Sequence, residues 1–371
     1  MKVGIDTFGL EHGQSGLGAY LYFLMQNMPF EEGIEYDLFG VEADRYTYKA
    51  KFDTGYTPVD IKETQKYQQH WHKRRVNRFA KKNKYDVVLF TAATQLLPKK
   101  FYSKGIAIVN DIVSEIFQEK KDRYLRHYCL NGLKRINRII APSEYVKNDL
   151  VSLGIESSKI AVIPNGIDHS VFYQQNLADG DYVDIKPFAI KKPYIIYPTR
   201  ISGPEKYHKE LIKAFDKFKA KTGLAHRLVL AGALDDYAAE VQNAILDSPY
   251  ASDIFMTGYF PHSELGRLYS NAECCVFPSS KEGVGLPVIE TMACGIPAAC
   301  AERGAIPEIS GKNVVMFNPD KIDEMAQAIE KVTTDQNLRQ DMIQKGLQWA
   351  KNYTWENTAI KVLDVIKSLK K

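Results

Sequence analysis

The sequence predicts an α/β protein built as two successive doubly wound, Rossmann-like parallel domains facing one another across a cleft. Three observations carry that expectation. Short β-rich apolar runs alternate with longer stretches of helical period, the pattern of parallel strands joined by helical crossovers. The alternation runs once, stops in a polar segment, and starts again. The chain also has 371 residues, where a typical domain has roughly 150.

In the first half, KVGID, YDLFGV, DVVLFT, GIAIVND, RIIAPS and IAVIPNG read as strands, with GAYLYFLMQNM and EYVKNDLVSLG among the helices between them. FYQQNLADGDYVDIKPFAIKKP is polar, punctuated and without a clear period, which makes the region near 170–192 the linker. YIIYPTR, HRLVLAG, DIFMTGY, CCVFPS, PAACA and VVMFNP restart the strand series. The expected domains are 1–170 and 190–354, and a last helix over about 355–371 returns to the first domain. Open sheets of this kind bind ligands beyond the carboxyl ends of their strands.

Composition is that of a soluble globular protein, 45% hydrophobic and 25% charged, with a formal net charge of +4. That charge suits anionic ligands but is too small to argue for nucleic acid without a concentrated patch. No apolar run reaches the ~18 residues of a membrane span, and Asp6 interrupts the N-terminus before a signal-peptide core forms. Five cysteines without CxxC spacing read as small buried apolar residues in a reducing compartment, the cytoplasm, with no zinc site or disulfide framework.

The segment SSKEGVGLPVIETMACGIPAAC, residues 279–300, carries the densest chemistry. A buried strand precedes it, and VIETMACG reads as a helix ended by Gly295, with Pro287 in its first turn. Gly283 and Gly285 allow close backbone approach. The amides of the Gly283, Val284, Gly285 and Leu286 turn, together with the helix dipole, favour an anion. Glu282 lies just before the helix and Glu290 is expected in its first turn, so two carboxylates are available to accept hydrogen bonds from vicinal hydroxyls. Glutamates at helix starts also occur for dipole reasons alone.

This segment resembles the E-x7-E signature of the large retaining glycosyltransferase family 4, which has the GT-B fold. SGLGAY resembles the family's N-terminal glycine loop, with Ser15 where glycine is commoner. RIIAPSEYVKNDLVSLGIESSKIAVIPNGIDHSVF, YPTRISGPEKYHKELIKAF, DIFMTGYFPHSELGRLYSNAECCVFPS, ERGAIPEIS and YTWENTA follow in the expected order. The resemblance implies that the second domain holds a nucleotide-sugar donor and the first holds a glycan or lipid-linked acceptor. It assigns Arg200 and Lys206 to the diphosphate, Glu290 to the ribose, Glu282 to the transferred sugar and Gly16 and Gly18 to the loop near the diphosphate. Tyr259 is assigned to the nucleotide base through its backbone, and Glu308 is a weaker candidate. It further implies retention of anomeric configuration, no cofactor and no required metal. Asn110 stands where many members carry histidine. It can hydrogen-bond a sugar hydroxyl but cannot act as a general base. Asp111 is present as in the family, either orienting its loop or contacting the acceptor.

The basic segment 66–84 contains no acid. As one helix it would place Trp71, Arg75, Arg78 and Phe79 on roughly one face, suited to an anionic membrane surface or a phosphorylated acceptor. Otherwise the aromatics lie in the core and the cations in solvent. Two other functions fit the sequence: a catalytically weakened nucleotide-sugar-binding partner, prompted by Asn110, and a nucleotide-sugar epimerase.

Overall fold

A computed structural model of the protein describes residues 1–118, 123–175, 180–185 and 188–370. The chain divides into two compact units, Met1–Gly166 joined by the segment from Trp355, and Ile167–Thr354.

The first unit is built on strands β1 (Lys2–Asp6), β2 (Glu35–Gly40), β3 (Gly55–Pro58), β4 (Val87–Phe90), β5 (Lys104–Ile108), β6 (Arg138–Ala141) and β7 (Ile160–Val162). They form one parallel sheet in the order β3-β2-β1-β4-β5-β6-β7. The central strands are apolar throughout, with Val3, Ile5, Val87 and Leu89 fully buried, because a parallel sheet is covered on both faces. The order reverses between β1 and β4, which opens a crevice at their carboxyl ends. Six of the seven strands match runs visible in the sequence. β3 was not legible: it is a four-residue edge strand, GYTP, whose glycine and proline read as turn residues.

Ser15 caps the helix Gly16–Asn27 by accepting a hydrogen bond from the Gly18 amide at 3.0 Å. The helix buries Tyr20, Leu21, Leu24 and Met25. Against it packs the last helix, Trp355–Ser368, whose Trp355 ring stacks on Phe23 at 5.4 Å and meets the edge of Tyr20 at 5.6 Å. Val362, Leu363 and Ile366 complete its buried stripe. The C-terminal helix therefore belongs to the first unit's core.

In the second unit, β8 (Tyr182–Ile185) and β9 (Phe188–Lys191) pair antiparallel. The parallel sheet contains β10 (Tyr194–Pro198), β11 (Arg227–Ala231), β12 (Ile254–Gly258), β13 (Cys274–Phe277), β14 (Ala298–Ala301) and β15 (Val315–Phe317), in the order β12-β11-β10-β13-β14-β15. Its reversal falls between β10 and β13. The helix His208–Thr222 covers one face with Leu211, Phe215 and Phe218.

The region near 170–192 corrects the linker expectation, although 176–179 and 186–187 lie outside the described residues. Val183, Ile185 and Ile190 of β8 and β9 are buried in the second unit's core, and Phe188 meets Phe255 and Phe260 at 5.3 and 5.7 Å. The second unit begins at Ile167. The signal was present but short: Tyr182 and Asp184 are exposed while Val183 and Ile185 are buried, an alternation of only four residues among polar ones.

The basic segment differs as well. Its helix breaks at Arg75 into Gln65–Arg74 and Val76–Lys82. Trp71 is 6% exposed and packs with Phe79, Phe8 and Phe39, whereas Arg74, Arg75 and Arg78 are exposed. Aromatics and arginines do not share a face. All five cysteines are buried, and none is joined in a disulfide. Among the described residues, no helix is long and apolar enough to cross a membrane.

Candidate functional site

Two loops of the second unit meet beyond the ends of β10 and β13, beside the strand-order reversal. The first contains the short 3-10 turn Pro204–Lys206, opened by its proline. The second is the run 279–285. Ser280 joins them, its amide and hydroxyl donating to the Glu205 carbonyl at 3.0 and 3.2 Å. Tyr197, fully buried on β10, donates its phenol to the Lys206 carbonyl at 2.8 Å. The carbonyls of Glu205 and Lys206 are therefore both held.

The Lys206 ammonium sits 2.7 Å from Glu282 Oε1, with side-chain exposures of only 17% and 15%. Such a pair is shielded from bulk water and so is stronger than a surface ion pair. Glu282 is itself anchored, since its carbonyl accepts from the Ala305 amide at 2.8 Å. His208, two residues after Lys206, is fully buried, and neither ring nitrogen has a hydrogen-bond partner. Burial, with the neighbouring Lys206 charge adding to it, pushes its pKa down to about 3. It stays neutral beside the Lys206 ammonium. Tyr207 between them holds a left-handed backbone, φ 56°, and its phenol bonds Asp320, which also pairs with Arg303 at 2.9 Å.

The helix after the second loop spans Leu286–Ala293, with Pro287 in its first turn. Gly285 caps it at φ 68°. A Cβ here would lie 2.5 Å from Ile309 Cδ1 and 2.6 Å from Ile306 Cδ1, so both conformation and space require glycine. Among the described residues no side chain caps this helix, and its N-terminal amides point into the loop with the positive end of the helix dipole.

Glu290 lies in the second helical turn rather than the first, because the helix starts only at Leu286. The fully buried Tyr269 phenol donates to Glu290 Oε2 at 2.9 Å. Glu290 keeps part of its surface open, yet the protein packed around its carboxyl raises the pKa to about 7, with the Tyr269 bond opposing that shift. The two glutamates thus have separate anchors, Lys206 for Glu282 and Tyr269 for Glu290. Tyr269 is the partner the sequence did not reveal, since no motif connects it to the E-x7-E segment.

Arg200 is less constrained. Its side chain is 61% exposed and its nearest acid, Asp235, is 3.9 Å away. The structure brings Lys206 and Glu282 into contact and leaves Arg200 outside that pair. Tyr259 is 73% exposed after β12, so its side chain is not part of the core. Glu308 lies in the short helix Ile306–Ile309.

In the first unit, Asn110 and Asp111 follow β5. Thr94 donates to Asp111 Oδ2 at 3.3 Å, and burial raises the Asp111 carboxyl above its ordinary value. Gly16 and Gly18 both fall inside the first helical turn, where they differ. A Cβ on Gly16 would meet nothing, whereas one on Gly18 would lie 2.5 Å from the Leu10 carbonyl oxygen and 2.7 Å from Gly13 Cα. Gly18 is explained by packing alone. No group of three or more His, Cys, Asp or Glu residues is arranged to hold a metal ion among the described residues.

Comparison with known proteins follows the same division of the chain. Residues 15–171 match the model of "Glycosyltransferase Family 4" and 182–349 that of "Glycosyl transferases group 1". An O-antigen chain mannosyltransferase B of Escherichia coli is 28% identical over 166 residues, 45% of this chain and 44% of that one. A serotype-specific mannosyltransferase of the same organism is 26% identical over 275 residues, 69% of this chain and 32% of that one. The chain therefore spans less than half the length of these relatives. Anabaena HepE, solved in complex with UDP and glucose, superposes with a TM-score of 0.73 at 15% identity, covering 99% of this chain and 100% of that one. At that identity the likeness concerns the fold, GT-B.

Proposed function

The chain belongs to the group 1 glycosyltransferases of family 4, and from that membership we propose that it moves a sugar from a nucleoside diphosphate donor to a hydroxyl of a glycan or lipid-linked acceptor, with retention of anomeric configuration. The observation that carries the proposal is the shielded Lys206–Glu282 pair beside the uncapped helix start at Gly285. Departure of a nucleoside diphosphate concentrates negative charge on the leaving oxygen. A fixed lysine and converging amides stabilise that charge without reorganising. Glu282 holds the ammonium in place beforehand and accepts from a hydroxyl of the transferred sugar. Arg200, exposed and loosely paired, reaches for the diphosphate when it arrives. Glu290 accepts from the ribose hydroxyls, the Gly283–Leu286 amides contact phosphate or sugar, and the Tyr259 backbone contacts the base. No protein nucleophile is required if the departing phosphate oxygen takes the acceptor proton on the same face, which accommodates Asn110.

The relative named as an O-antigen chain mannosyltransferase supports a role in cell-surface polysaccharide synthesis, and the UDP and glucose of the HepE complex support a nucleotide-sugar donor. We place the protein in the cytoplasm. The exposed cations of 66–84 provide an electrostatic contact with anionic lipid, since Trp71 and Phe79 pack inward. Asn110 supports one second reading, a partner that binds nucleotide sugar without turning it over. Incubating the protein with UDP-glucose and GDP-mannose separates the two. Release of nucleoside diphosphate, accelerated by a glycan acceptor, supports transfer. Binding without release supports the weakened partner.

A further inference from the structure

The amino-terminal edge of the first unit's sheet, away from the strand ends that bind ligands in open sheets, carries a pocket that the proposed function does not use. Lys100, Tyr102, Ser103, Lys104, Arg135 and Asn137 are among its lining residues. Lys104 opens β5, Asn137 directly precedes β6, and Arg135 ends the helix Arg123–Arg135. Among the described residues no acid lines the pocket, and none of its three cations is ion-paired with a carboxylate. The Lys104 ammonium donates to the Leu369 carbonyl at 2.7 Å, and an Arg135 nitrogen reaches the Lys99 carbonyl at 3.4 Å. Asp86, just before β4, is not in the lining, and its Oδ2 accepts from the Lys2 amide at 2.7 Å. The walls are fixed. Asn77 accepts from the Tyr102 amide at 3.1 Å and donates to the Lys100 carbonyl at 2.8 Å, which ties 100–102 to the helix Val76–Lys82. Asn137 Oδ1 accepts from the Gly105 amide at 2.9 Å, which leaves its NH2 to donate.

From this arrangement we propose that the pocket binds a phosphate monoester dianion, carried by a soluble phosphate ester or by a lipid headgroup of the same chemistry. The inference stands on the first unit alone and is independent of the transferase reading. Three like charges crowded into one concavity repel one another, and an anion between them relieves that cost. Dipole attraction at a helix end accounts for Arg135, and the Leu369 carbonyl accounts for Lys104. Neither accounts for Lys100, which stands on a loop. The free side-chain groups are an amide NH2, a guanidinium and ammonium groups, all donors, with only the Ser103 and Tyr102 hydroxyls able to accept. A donor set repels cations and leaves most sugar hydroxyl protons without an acceptor. It matches a ligand whose oxygens only accept, and guanidinium and ammonium groups both suit phosphate. Three cations favour the doubly charged monoester over the singly charged diester. The site also differs from the exposed arginines of 66–84, which it meets only through Asn77.

The test is titration calorimetry of the full chain at pH 8 with methyl phosphate, a dianion there because its second pKa is about 6, and with dimethyl phosphate as the singly charged diester. Methyl phosphate should bind the wild type about tenfold or more tightly than dimethyl phosphate. Lys100→Ala combined with Arg135→Ala should weaken methyl phosphate about tenfold or more, the size expected when charged hydrogen-bond donors are removed. Lys206→Ala in the second unit should leave that affinity unchanged. Lys100 and Arg135 are exposed, so the double variant should melt with the wild type; if it does not, Lys100→Glu alone carries the same expectation. Sedimentation with vesicles of phosphatidic acid and of phosphatidylglycerol at equal mole fraction identifies the source. An excess of binding to phosphatidic acid that disappears in the double variant supports the lipid headgroup, and methyl phosphate binding without that excess supports the soluble ester. No methyl phosphate binding by the wild type, equal affinity for the diester, or wild-type affinity in the double variant overturns the proposal. So does loss of binding in Lys206→Ala, which would place the phosphate in the second unit.

Discussion

Replacing Glu290 with glutamine should make the second unit more stable at pH 8 while weakening its hold on a nucleotide sugar. The carboxyl's pKa is raised from 4.5 to about 7 by burial. Its native form therefore binds a proton that the unfolded chain releases, and stability falls as pH rises from about 4.5 to about 7. At ~1.36 kcal/mol per pKa unit the loss is about 3 kcal/mol by pH 8. Glutamine keeps the shape and the oxygen that accepts from Tyr269, but it carries no charge to desolvate. The variant and wild type should melt together near pH 4.5. At pH 8 the variant's second-unit transition should be higher by about 6–12 °C, at ~2–4 °C per kcal/mol for a unit of this size. Donor affinity should move the other way, about tenfold to a hundredfold weaker, because hydrogen bonds to a charged acceptor contribute ~1.5–3 kcal/mol. Differential scanning calorimetry at the two pH values, with and without UDP-glucose and GDP-mannose, reads both effects. A variant no more stable than the wild type at pH 8 would refute the buried-acid argument. Unchanged stabilisation by a donor that binds the wild type would refute the ribose assignment.

Lys206→Ala should reduce turnover by about a hundredfold or more and destabilise the unit by ~1–3 kcal/mol, since Glu282 is left shielded without its cation. Lys206→Ala with Glu282→Ala should recover part of that stability but none of the turnover, which urea unfolding and nucleoside diphosphate release together check. Gly285→Ala should cost ~1–3 kcal/mol, because φ 68° is unfavourable for alanine and the new methyl would press on Ile306 and Ile309. A melting temperature equal to wild type would contradict that packing. Reversing Arg74, Arg75 and Arg78 to glutamate should abolish sedimentation with anionic vesicles, at ~1 kcal/mol per charge, and 0.5 M-scale salt should do the same to the wild type on the order expected from Debye screening. Salt-insensitive binding would point to apolar insertion, for which Trp71 and Phe79 are unavailable.

The large features of the fold were legible because strand periodicity and glycine punctuation are local. The β13 to Leu286–Ala293 connection could be drawn from CCVFPS, Gly285, Pro287 and Gly295 alone. Contacts across long sequence separations were not legible. Nothing in the sequence joins Tyr269 to Glu290 or His12 to Asp44. The proposed site illustrates the same division. Lys206 and Glu282 were named from two separate motifs and stand in contact, whereas Arg200, named from the same motif as Lys206, is solvated and outside the pair. Gly18 shows how one residue type can satisfy a motif for a packing reason, through its approach to Leu10 and Gly13. The basic segment failed as a single amphipathic face because Trp71 and Phe79 pack inward while Arg74, Arg75 and Arg78 stay exposed, and the helix is interrupted at Arg75.

The central claim is that the loop and helix start at 279–290 hold the diphosphate sugar. Hydrogen exchange of the full chain with saturating UDP-glucose or GDP-mannose tests it without requiring a known acceptor, since amides engaged by a ligand exchange more slowly. Slowed exchange at Gly283, Val284, Gly285 and Leu286 is the expected result. A donor that binds, measured independently by calorimetry, yet leaves these amides exchanging at their unliganded rates would contradict the claim.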